Sequence, residues 1–292
     1  MRVVALGEVM VELSLAEAGR AAVGYAGDTF NTAVYLRRLG LDVAYATAIG
    51  AGDPFSTGIL AVMTDEGLDT SLVTRAPGRL PGLYAIQRDA AGERRFFYWR
   101  SEAAVRSLFE IADLAALGRA LASADLVYLS AITLAVVGEA GRRTLQGLLA
   151  EAAVPVALDT NYRARLWDSP RAALAAIEAV APFCRYISTS ADDTLALDMS
   201  HAPGRWAASG CEVVARGADH SLTVHGPQPV VFPAPPALAA VDTTGAGDSF
   251  NAGYLARRLN GGSVAAAVAA GRSLAALVVQ HSGAIIPRAA MA

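Results

Sequence analysis

Short apolar segments alternate with longer segments of helical periodicity along most of the chain, and this alternation constrains the fold more than any other feature. The expected strands, rich in Val, Ile and Tyr, are residues 2–6, 43–49, 126–130, 154–159, 186–188 and 212–215. The expected helices are residues 29–39, 55–66, 111–122, 136–152, 170–181 and 191–197. Strands that alternate with helices of this length form βαβ units. The pattern therefore predicts an α/β fold, with a largely parallel central sheet sandwiched by helices.

Two parts of the chain carry strand patterns without helices between them. Residues 83–88 and 94–100 are strand-like and are separated by a turn signal at 89–92, and residues 9–25 also have little helical pattern. These segments predict a small antiparallel sheet outside the main layer. It is either a lid over a site or an ordinary hairpin at the sheet edge, and periodicity alone does not decide between the two.

The C-terminal third ends in a strand, a glycine-rich turn and two helices. We expect a strand at 224–232, a turn at 242–248, a helix at 249–260, and a last long helix that follows residues 261–262 and ends near Gly283. The apolar stretch at 263–279 contains Arg272 and is rich in Ala and Gly, so we expect a buried helix there and not a membrane span.

Charge and composition exclude several classes of function. The formal net charge is −3, which gives no electrostatic reason to expect nucleic acid or an anionic membrane as a partner. All 24 basic residues are arginines, so a P-loop lysine and a lysine Schiff base are excluded. The two cysteines form no CxxC pair, and the N-terminal segment has no cleavage-site pattern. We therefore expect a cytoplasmic protein without disulfide bonds.

The segment Asp242-Thr243-Thr244-Gly245-Ala246-Gly247-Asp248-Ser249-Phe250 is the most informative stretch for function. Its glycines allow close backbone approach, and the helix that follows points unpaired N–H groups outward, which favours a phosphate. Asp248 would then lie where a hydroxyl attacks the phosphate, and it could accept the proton of that hydroxyl. The alternative is a helix N-terminus at which Asp248 only complements the dipole. The pattern is neither GxGxxG nor a lysine-containing P-loop.

Together with Gly27-Asp28-Thr29-Phe30-Asn31-Thr32-Ala33, this segment resembles the two signatures of the ribokinase-like (PfkB) carbohydrate kinases, in the family's order. Further segments, at 7–13, 80–84, 92–100, 159–167 and 283–288, are similar to one subfamily, the bacterial 2-keto-3-deoxygluconate (2-dehydro-3-deoxygluconate) kinases. The resemblance covers essentially the whole chain. It implies one ribokinase-like domain over residues 1–292, with a lid formed by about 9–26 and 82–100.

The resemblance also implies the reaction and the residues that bind the sugar. The γ-phosphate of ATP would pass to the C6 hydroxyl of the acid sugar, with Mg²⁺ bridging the phosphates. Asp248 would be the base, and Gly245, Ala246 and Gly247 would form the anion hole. Arginine suits a carboxylate bidentately, so we assign Arg100 and Arg163 to the acidic end of the sugar. The remaining expected sugar contacts are Gly27, Asp28, Asn31, Tyr84 and Tyr98.

For the nucleotide, the resemblance implies contacts from Asn161, Thr189, Arg216, Gly217, Ala218, Asp219, Ser221, Gly245 and Gly247. Two positions depart from the family pattern. Ala215 stands where relatives often carry lysine, and Asp193 stands at the glutamate position of a metal-linked motif. Asp193 is therefore the expected Mg²⁺-linked residue, and Asp242 with Thr244 matches part of a K⁺ site found in some relatives.

Alternative functions remain open at this point. The chain could be a kinase for fructose or another neutral sugar, a kinase for a different sugar acid, or a non-catalytic module that binds sugar or nucleotide. We expect ATP and a small sugar acid as its ligands, and a homo-oligomer, because lid sheets of this kind often pair between subunits.

Overall fold

The computed structural model describes residues 1–15, 19–88 and 94–291, and the turn predicted at 89–92 lies outside them. The strands are β1 (Arg2–Leu6), β2 (Met10–Leu15), β3 (Ala21–Ala26), β4 (Asp42–Gly50), β5 (Val73–Ala76), β6 (Leu83–Arg88), β7 (Arg94–Trp99), β8 (Leu126–Ser130), β9 (Val156–Asp159), β10 (Cys184–Ser190), β11 (Glu212–Arg216), β12 (Leu222–His225) and β13 (Val230–Phe232). The helices are α1 (Asp28–Arg38), α2 (Pro54–Asp65), α3 (Leu108–Ile111), α4 (Leu114–Ala122), α5 (Ala131–Val136), α6 (Gly138–Ala152), α7 (Pro170–Val180), α8 (Ala191–Ala196), α9 (Ala202–Ala208), α10 (Ala246–Leu259) and α11 (Val264–Val278).

The main sheet has nine strands in the order β13-β12-β11-β10-β9-β8-β1-β4-β5. The seven strands from β11 to β5 are parallel, and β12 and β13 add an antiparallel edge. Val3, Val4, Ala5 and Leu6 of β1 are fully buried, because helices cover both faces of the sheet. The predicted parallel α/β sheet is confirmed.

Several helices begin where the sequence supplies a capping side chain. Asp53 accepts a hydrogen bond from the Ser56 amide at the start of α2, and Ser169 and Ser263 accept equivalent bonds at the starts of α7 and α11. Helix α1 begins after Gly27 and helix α10 begins after Gly245, without a capping side chain at either position. The Ala246 amide donates to the Thr243 oxygen at 3.2 Å, and the other first-turn amides of these two helices are left for other partners.

The second sheet, called the small sheet below, consists of β3-β2-β6-β7. The sequence predicted it as antiparallel, and this is correct for the β2–β3 and β6–β7 pairs. The central β2–β6 pair is parallel, so that part of the prediction is wrong. Strands β2 and β6 are separated by β3, α1, β4, α2 and β5, and this long connection lets them run in the same direction.

Other differences from the predicted elements have local causes. The strand predicted at 224–232 is two antiparallel strands, β12 and β13, because Gly226 and Pro227 begin a turn inside it. The helix predicted at 111–122 is interrupted where Asp113 caps α4. The helix predicted at 136–152 begins at Gly138, which follows the separate short helix α5. The last helix ends at Val278, before Gly283.

The strand order places a topological switch point between β1 and β8, where successive connections leave β1 in opposite directions. Ligands of open α/β sheets bind beyond the carboxyl ends of the strands at such a point. The small sheet lies on this side of the molecule, since β2 follows β1 after only three residues. Within the described residues, no helix has the length and apolar character needed to cross a bilayer.

Candidate active site

An open cavity of about 470 Å³ lies between the carboxyl edge of the main sheet and the small sheet. Most of the sequence-predicted site residues line it: Gly27, Asp28, Asn31, Tyr84, Tyr98, Arg100, Asn161, Arg163, Arg216, Thr244, Gly245, Ala246, Gly247 and Asp248. These residues come from both signature motifs and from the small sheet. The structure therefore brings distant parts of the sequence together at one site.

The glycine turn before α10 forms the floor of the cavity. Gly245 has a φ of +77°, and a Cβ placed there would lie 2.8 Å from the main-chain oxygen of Ala284. Gly247 faces the Arg216 guanidinium, whose Nη1 would lie 3.8 Å from a Cβ at this position. The turn thus offers helix N–H groups and a neighbouring cation, a combination that suits a bound phosphoryl group.

Replacement of Gly245 by alanine should destabilise the fold, because the left-handed backbone and the contact with Ala284 both oppose a Cβ. We expect a loss of about 1–3 kcal/mol in the free energy of unfolding, measured by thermal or denaturant unfolding. Gly147→Ala is the matched control, since Gly147 lies inside α6, a Cβ added there would have no atom within 4 Å, and alanine favours a helix. Equal stability of the two variants would show that the turn tolerates a side chain.

Asp248 lies in the first turn of α10 and is half-buried at the cavity floor. Asn31 of α1 donates a hydrogen bond from Nδ2 to Asp248 Oδ2 at 2.7 Å, and Thr32 donates to the Asp248 main-chain oxygen at 3.2 Å. Burial raises the pKa of Asp248 well above its usual value, and the negative charges of Asp28 and Asp159 raise it further, against the hydrogen bond from Asn31. A raised pKa suits a carboxylate that accepts a proton near neutral pH.

Arg216, at the end of β11, is held beside the glycine turn by two buried polar side chains. Its Nη2 lies 3.3 Å from Asp159 Oδ1, and its Nη1 donates to Asn251 Oδ1 at 3.3 Å. Asn251 also donates to Asp159 Oδ2 at 2.9 Å, which closes the triangle. Burial raises the pKa of Asp159 to about 6, although the Arg216 charge opposes the shift. This arrangement fixes a guanidinium next to the expected phosphate position.

The loop after β9 supplies polar groups on the opposite side. Asn161 donates a hydrogen bond from Nδ2 to Asp28 Oδ2 at 2.9 Å. The residue predicted to contact the nucleotide, Asn161, is therefore bonded to one predicted to contact the sugar, Asp28. Arg163 donates to the main-chain oxygen of Tyr162 at 2.9 Å and is exposed to the cavity. Both residues are thereby placed between the glycine turn and the small sheet.

The small sheet contributes aromatic rings and one arginine. The Tyr84 and Tyr98 rings stack with centroids 5.7 Å apart, and the Arg165 guanidinium lies 3.4 Å from the Tyr98 ring centroid. Arg100, which follows β7, forms a close ion pair with Glu8, and both side chains are buried in the cavity wall. The predicted cation for the sugar carboxylate therefore has an internal counter-ion.

Two predicted residues lie behind the cavity wall. The Thr189 side chain is fully buried, and its hydroxyl oxygen lies 3.0 Å from the hydroxyl oxygen of Thr160. Asp193 is also buried, and its oxygens accept bonds from the Thr160 hydroxyl at 2.8 Å and the Tyr162 amide at 3.0 Å. Asp193 thus stabilises the loop that carries Asn161 through these hydrogen bonds. Its link to a metal stays a prediction.

The remaining predicted nucleotide residues form the turn between β11 and β12. The Gly217 amide donates to the Ser221 oxygen at 2.8 Å, and the Ser221 amide donates to Asp219 Oδ1 at 3.0 Å. Hydrogen bonds from Ser221 lower the pKa of the Asp219 carboxyl. Ala218 and Asp219 are exposed, so this turn forms an open rim and not the cavity wall.

Asp242 orders the segment that leads into the glycine turn. Its carboxylate accepts bonds from the Thr244 amide at 2.8 Å and the Gly283 amide at 3.0 Å. Asp242 and Thr244 also line a small recess next to Glu12 and Ser14 of β2. Their part in a monovalent-cation site stays a prediction.

Sequence reasoning assigned no role to three charged residues of the cavity: Glu8, Asp159 and Arg165. Each had a signal that could have pointed to it. Asp159 ends an apolar strand of the parallel sheet and Glu8 follows another by two residues, a position where functional side chains collect, and Arg165 lies two residues after Arg163.

Helix N–H groups that suit a phosphoryl group lie next to a carboxylate that can accept the proton of a hydroxyl, and this chemistry is that of kinases that phosphorylate small alcohols. Residues 1–290 match the family described as pfkB family carbohydrate kinase. The chain belongs to this family of ATP-dependent sugar kinases.

A curated relative supports this assignment, and two solved structures share the fold, each over nearly the full length. A curated relative from Dickeya dadantii (strain 3937), named 2-dehydro-3-deoxygluconokinase, is 40% identical, with 98% of this chain and 97% of the relative covered. A solved 2-dehydro-3-deoxygluconokinase from Thermotoga maritima has a TM-score of 0.82 at 23% identity, with 98% of this chain and 96% of that chain covered. A solved aminoimidazole riboside kinase from Salmonella enterica, complexed with aminoimidazole riboside and an ATP analog, has a TM-score of 0.80 at 21% identity, with coverages of 100% and 96%.

Proposed function

We propose that the protein transfers the γ-phosphate of ATP to the C6 hydroxyl of 2-keto-3-deoxygluconate, giving 2-keto-3-deoxy-6-phosphogluconate and ADP. The observation that carries the proposal is the half-buried Asp248, with its raised pKa, beside the Gly245–Gly247 turn at the floor of an arginine-lined cavity. The names of the 40% identical relatives support the choice of the sugar acid.

In the proposed step, Asp248 accepts the proton of the C6 hydroxyl while the oxygen of that hydroxyl attacks the γ-phosphorus. The bond from that phosphorus to the bridging oxygen of the β-phosphate breaks, and ADP leaves with the electron pair. The Asn31 amide holds Asp248 Oδ2 at 2.7 Å, which leaves Oδ1 for the hydroxyl. Proton transfer of this kind contributes roughly 10²–10⁴-fold to a rate.

The helix amides and Arg216 would stabilise the transferring phosphoryl group. The N–H groups at the start of α10 would donate to its oxygens, and the Arg216 guanidinium would add positive charge from the side of Gly247. Asp159 and Asn251 keep this guanidinium in place before ATP binds. The turn at Gly217, Ala218, Asp219 and Ser221 would border the nucleotide from the open rim.

The donor set fits a magnesium ion that arrives with ATP. Within the described ranges, no cluster of three or more His, Cys, Asp or Glu side chains is placed to hold a metal. Magnesium bound to a triphosphate takes phosphate and water oxygens and needs few carboxylates, and Asp159 and Asp248 are cavity carboxylates that could hold it through its water ligands. When bound, the ion would neutralise charge on the phosphate oxygens. Asp242 and Thr244 are the residues we propose for K⁺.

We assign the acidic end of the sugar to Arg100 and Arg163, whose guanidinium groups suit a carboxylate. Tyr84 and Tyr98 would pack against the sugar face and offer hydroxyl groups, with Gly27 and Asp28 next to the sugar hydroxyls. In this proposal the small sheet acts as a lid, within one domain that spans the chain.

The outer face of the small sheet supports the proposal of a homo-oligomer. Side chains alternate along β7, so Tyr98 faces the cavity while Phe97 and Trp99 face outward. Trp99 and Val23 are 61% and 53% exposed, which is unusual for large apolar groups on one small sheet. Sedimentation velocity measures the oligomeric state directly.

We further propose a cytoplasmic location, where ATP is available and the free Cys184 and Cys211 stay reduced.

A coupled assay of ADP release over a panel of sugars tests the proposed function. We expect turnover of 2-keto-3-deoxygluconate, and much slower turnover of ribose and fructose. Turnover of a neutral sugar without the acid sugar would overturn the substrate assignment. Binding of sugar and ATP without any ADP release would indicate a non-catalytic module.

A further inference from the structure

Glu8 is a carboxylate in the cavity wall that the proposed phosphoryl transfer does not use. It lies between β1 and β2, where the main sheet passes into the small sheet, and it is only 3% exposed. A buried carboxylate is costly unless it is paired, so its presence at this position calls for an explanation.

The partner of Glu8 is Arg100, whose Nη2 binds Glu8 Oε2 in a close ion pair. Glu8 Oε1 and Arg100 Nε have no hydrogen-bond partner among the residues that the structure describes. Gly82 makes room for the pair, because a Cβ there would lie 2.4 Å from Glu8 Oε1 and 3.3 Å from Arg100 Cβ. Three separate sequence motifs, around residues 8, 82 and 100, therefore meet at this ion pair.

Charged and titratable groups face Glu8 from four elements. They are Arg100 after β7, Asp28 at the start of α1, Arg106 in the 3₁₀ turn Ala104–Ser107, and Tyr45 of β4, whose hydroxyl lies 3.3 Å from the Glu8 main-chain oxygen. Burial raises the pKa of Glu8 to about 7. Asp28 acts in the same direction, and the charges of Arg100 and Arg106 oppose it.

We propose that Glu8 is a positioning residue that holds the Arg100 guanidinium in the cavity wall and sets how much positive charge it offers to the carboxylate of the substrate. The inference rests on the proposed function, because only an acidic sugar competes with Glu8 for Arg100. An ionised Glu8 neutralises Arg100, and a protonated Glu8 leaves it a full cation. Binding of the sugar carboxylate therefore favours protonated Glu8, and the complex takes up a proton.

The sign of the pH effect follows from this competition. Below the pKa of Glu8 the acid sugar meets an uncompensated Arg100 and binds tightly, and above it the two carboxylates share one guanidinium. One unit of pKa change corresponds to a tenfold change in affinity, so we expect Kd to rise about tenfold from pH 6 to pH 8. In Glu8→Gln the side chain keeps its shape without the charge. We expect this variant to bind the acid sugar tightly at pH 8, with a Kd that changes little between pH 6 and pH 8.

Isothermal titration calorimetry with 2-keto-3-deoxygluconate, without ATP, measures both quantities for the full chain. Titrations at pH 6, 7 and 8 give Kd, and repeats in buffers of different ionisation enthalpy give the proton uptake. Glu8→Asp is the conservative variant, and it should keep a pH-dependent Kd because it still titrates. Asp248 titrates in every variant, so the difference between wild type and Glu8→Gln isolates Glu8. Thermal unfolding and affinity for an ATP analogue show that each variant is folded.

The expected result is proton uptake in the wild type that Glu8→Gln loses, with Kd at pH 8 about tenfold lower in that variant. Weaker binding by folded Glu8→Gln at pH 8, or a pH slope equal to that of the wild type, would overturn the role of Glu8. If Glu8→Gln does not fold, the absence of proton uptake in the wild type and in Glu8→Asp would still overturn the proposal. A wild type that phosphorylates a neutral sugar but does not bind the acid sugar would instead overturn the proposed function, and this inference with it.

Discussion

Replacement of Asp248 by asparagine is expected to lower kcat by roughly 10²–10⁴-fold and to leave ATP affinity nearly unchanged. Asparagine has almost the same shape, and its side-chain oxygen can still accept the hydrogen bond that Asn31 donates at 2.7 Å. It cannot take the proton of the attacking hydroxyl. Steady-state kinetics, with nucleotide affinity measured separately by calorimetry, distinguishes a lost base from a lost fold.

Asp65→Asn is the matched control for this substitution, because Asp65 is an exposed carboxylate at the end of α2, away from the cavity. We expect wild-type kinetics from the Asp65→Asn variant.

The pH profile of kcat adds a second test of Asp248. Since burial raises the pKa of Asp248, the wild-type rate should rise with pH as this group loses its proton, and that limb should be missing in Asp248→Asn. Near-normal turnover in Asp248→Asn would exclude Asp248 as the base.

Replacement of Arg100 by alanine should separate acidic from neutral sugars. A hydrogen bond to a charged group contributes about 1.5–3 kcal/mol, so kcat/KM for the acid sugar should fall about 10- to 100-fold. A neutral sugar makes no ion pair with Arg100, and its kcat/KM should change much less. The measurement is kcat/KM for 2-keto-3-deoxygluconate and for the best neutral sugar of the panel, with wild type and variant side by side.

Arg95→Ala provides the comparison from the same strand. Arg95 lies in β7, where alternation turns it to the outer face, and its guanidinium lies 5.8 Å from the Phe97 ring centroid. We expect its removal to affect neither substrate. Equal losses for acidic and neutral sugars in Arg100→Ala would mean that Arg100 supports the cavity wall and does not select the carboxylate.

The main sheet could be predicted from sequence because its strands are continuous apolar runs that are buried on both faces. Shorter elements gave no such signal. Strand β5 has only four residues and contains Arg75. Helix α9 contains Pro203 and Gly204, which usually indicate a loop, although proline is tolerated in the first turn of a helix. Burial of Trp206 against the sheet holds that helix in place.

In the candidate site, side chains that are close in sequence could be predicted to lie together, and pairs from distant segments could not. The glycine turn and Asp248 form a local motif, so their proximity could be predicted from consecutive residues. The pairing of Arg100 with Glu8, and of Asn161 with Asp28, depends on how the small sheet and the β9 loop pack against α1 and β1. Asp193 fits a metal-linked motif by position, yet it is buried behind the wall because Thr160 and Tyr162 bind it.

The role of Asp248 is the central claim, and a crystal structure with the acid sugar and a non-hydrolysable ATP analogue tests it most directly. The quantity to measure is the distance from the sugar's C6 oxygen to the Asp248 carboxylate. We predict about 2.6–3.2 Å, with the γ-phosphate analogue seated on the amides at Gly245–Gly247. A C6 oxygen turned away from Asp248, with a different hydroxyl or no hydroxyl facing the γ-phosphate, would contradict the proposed reaction.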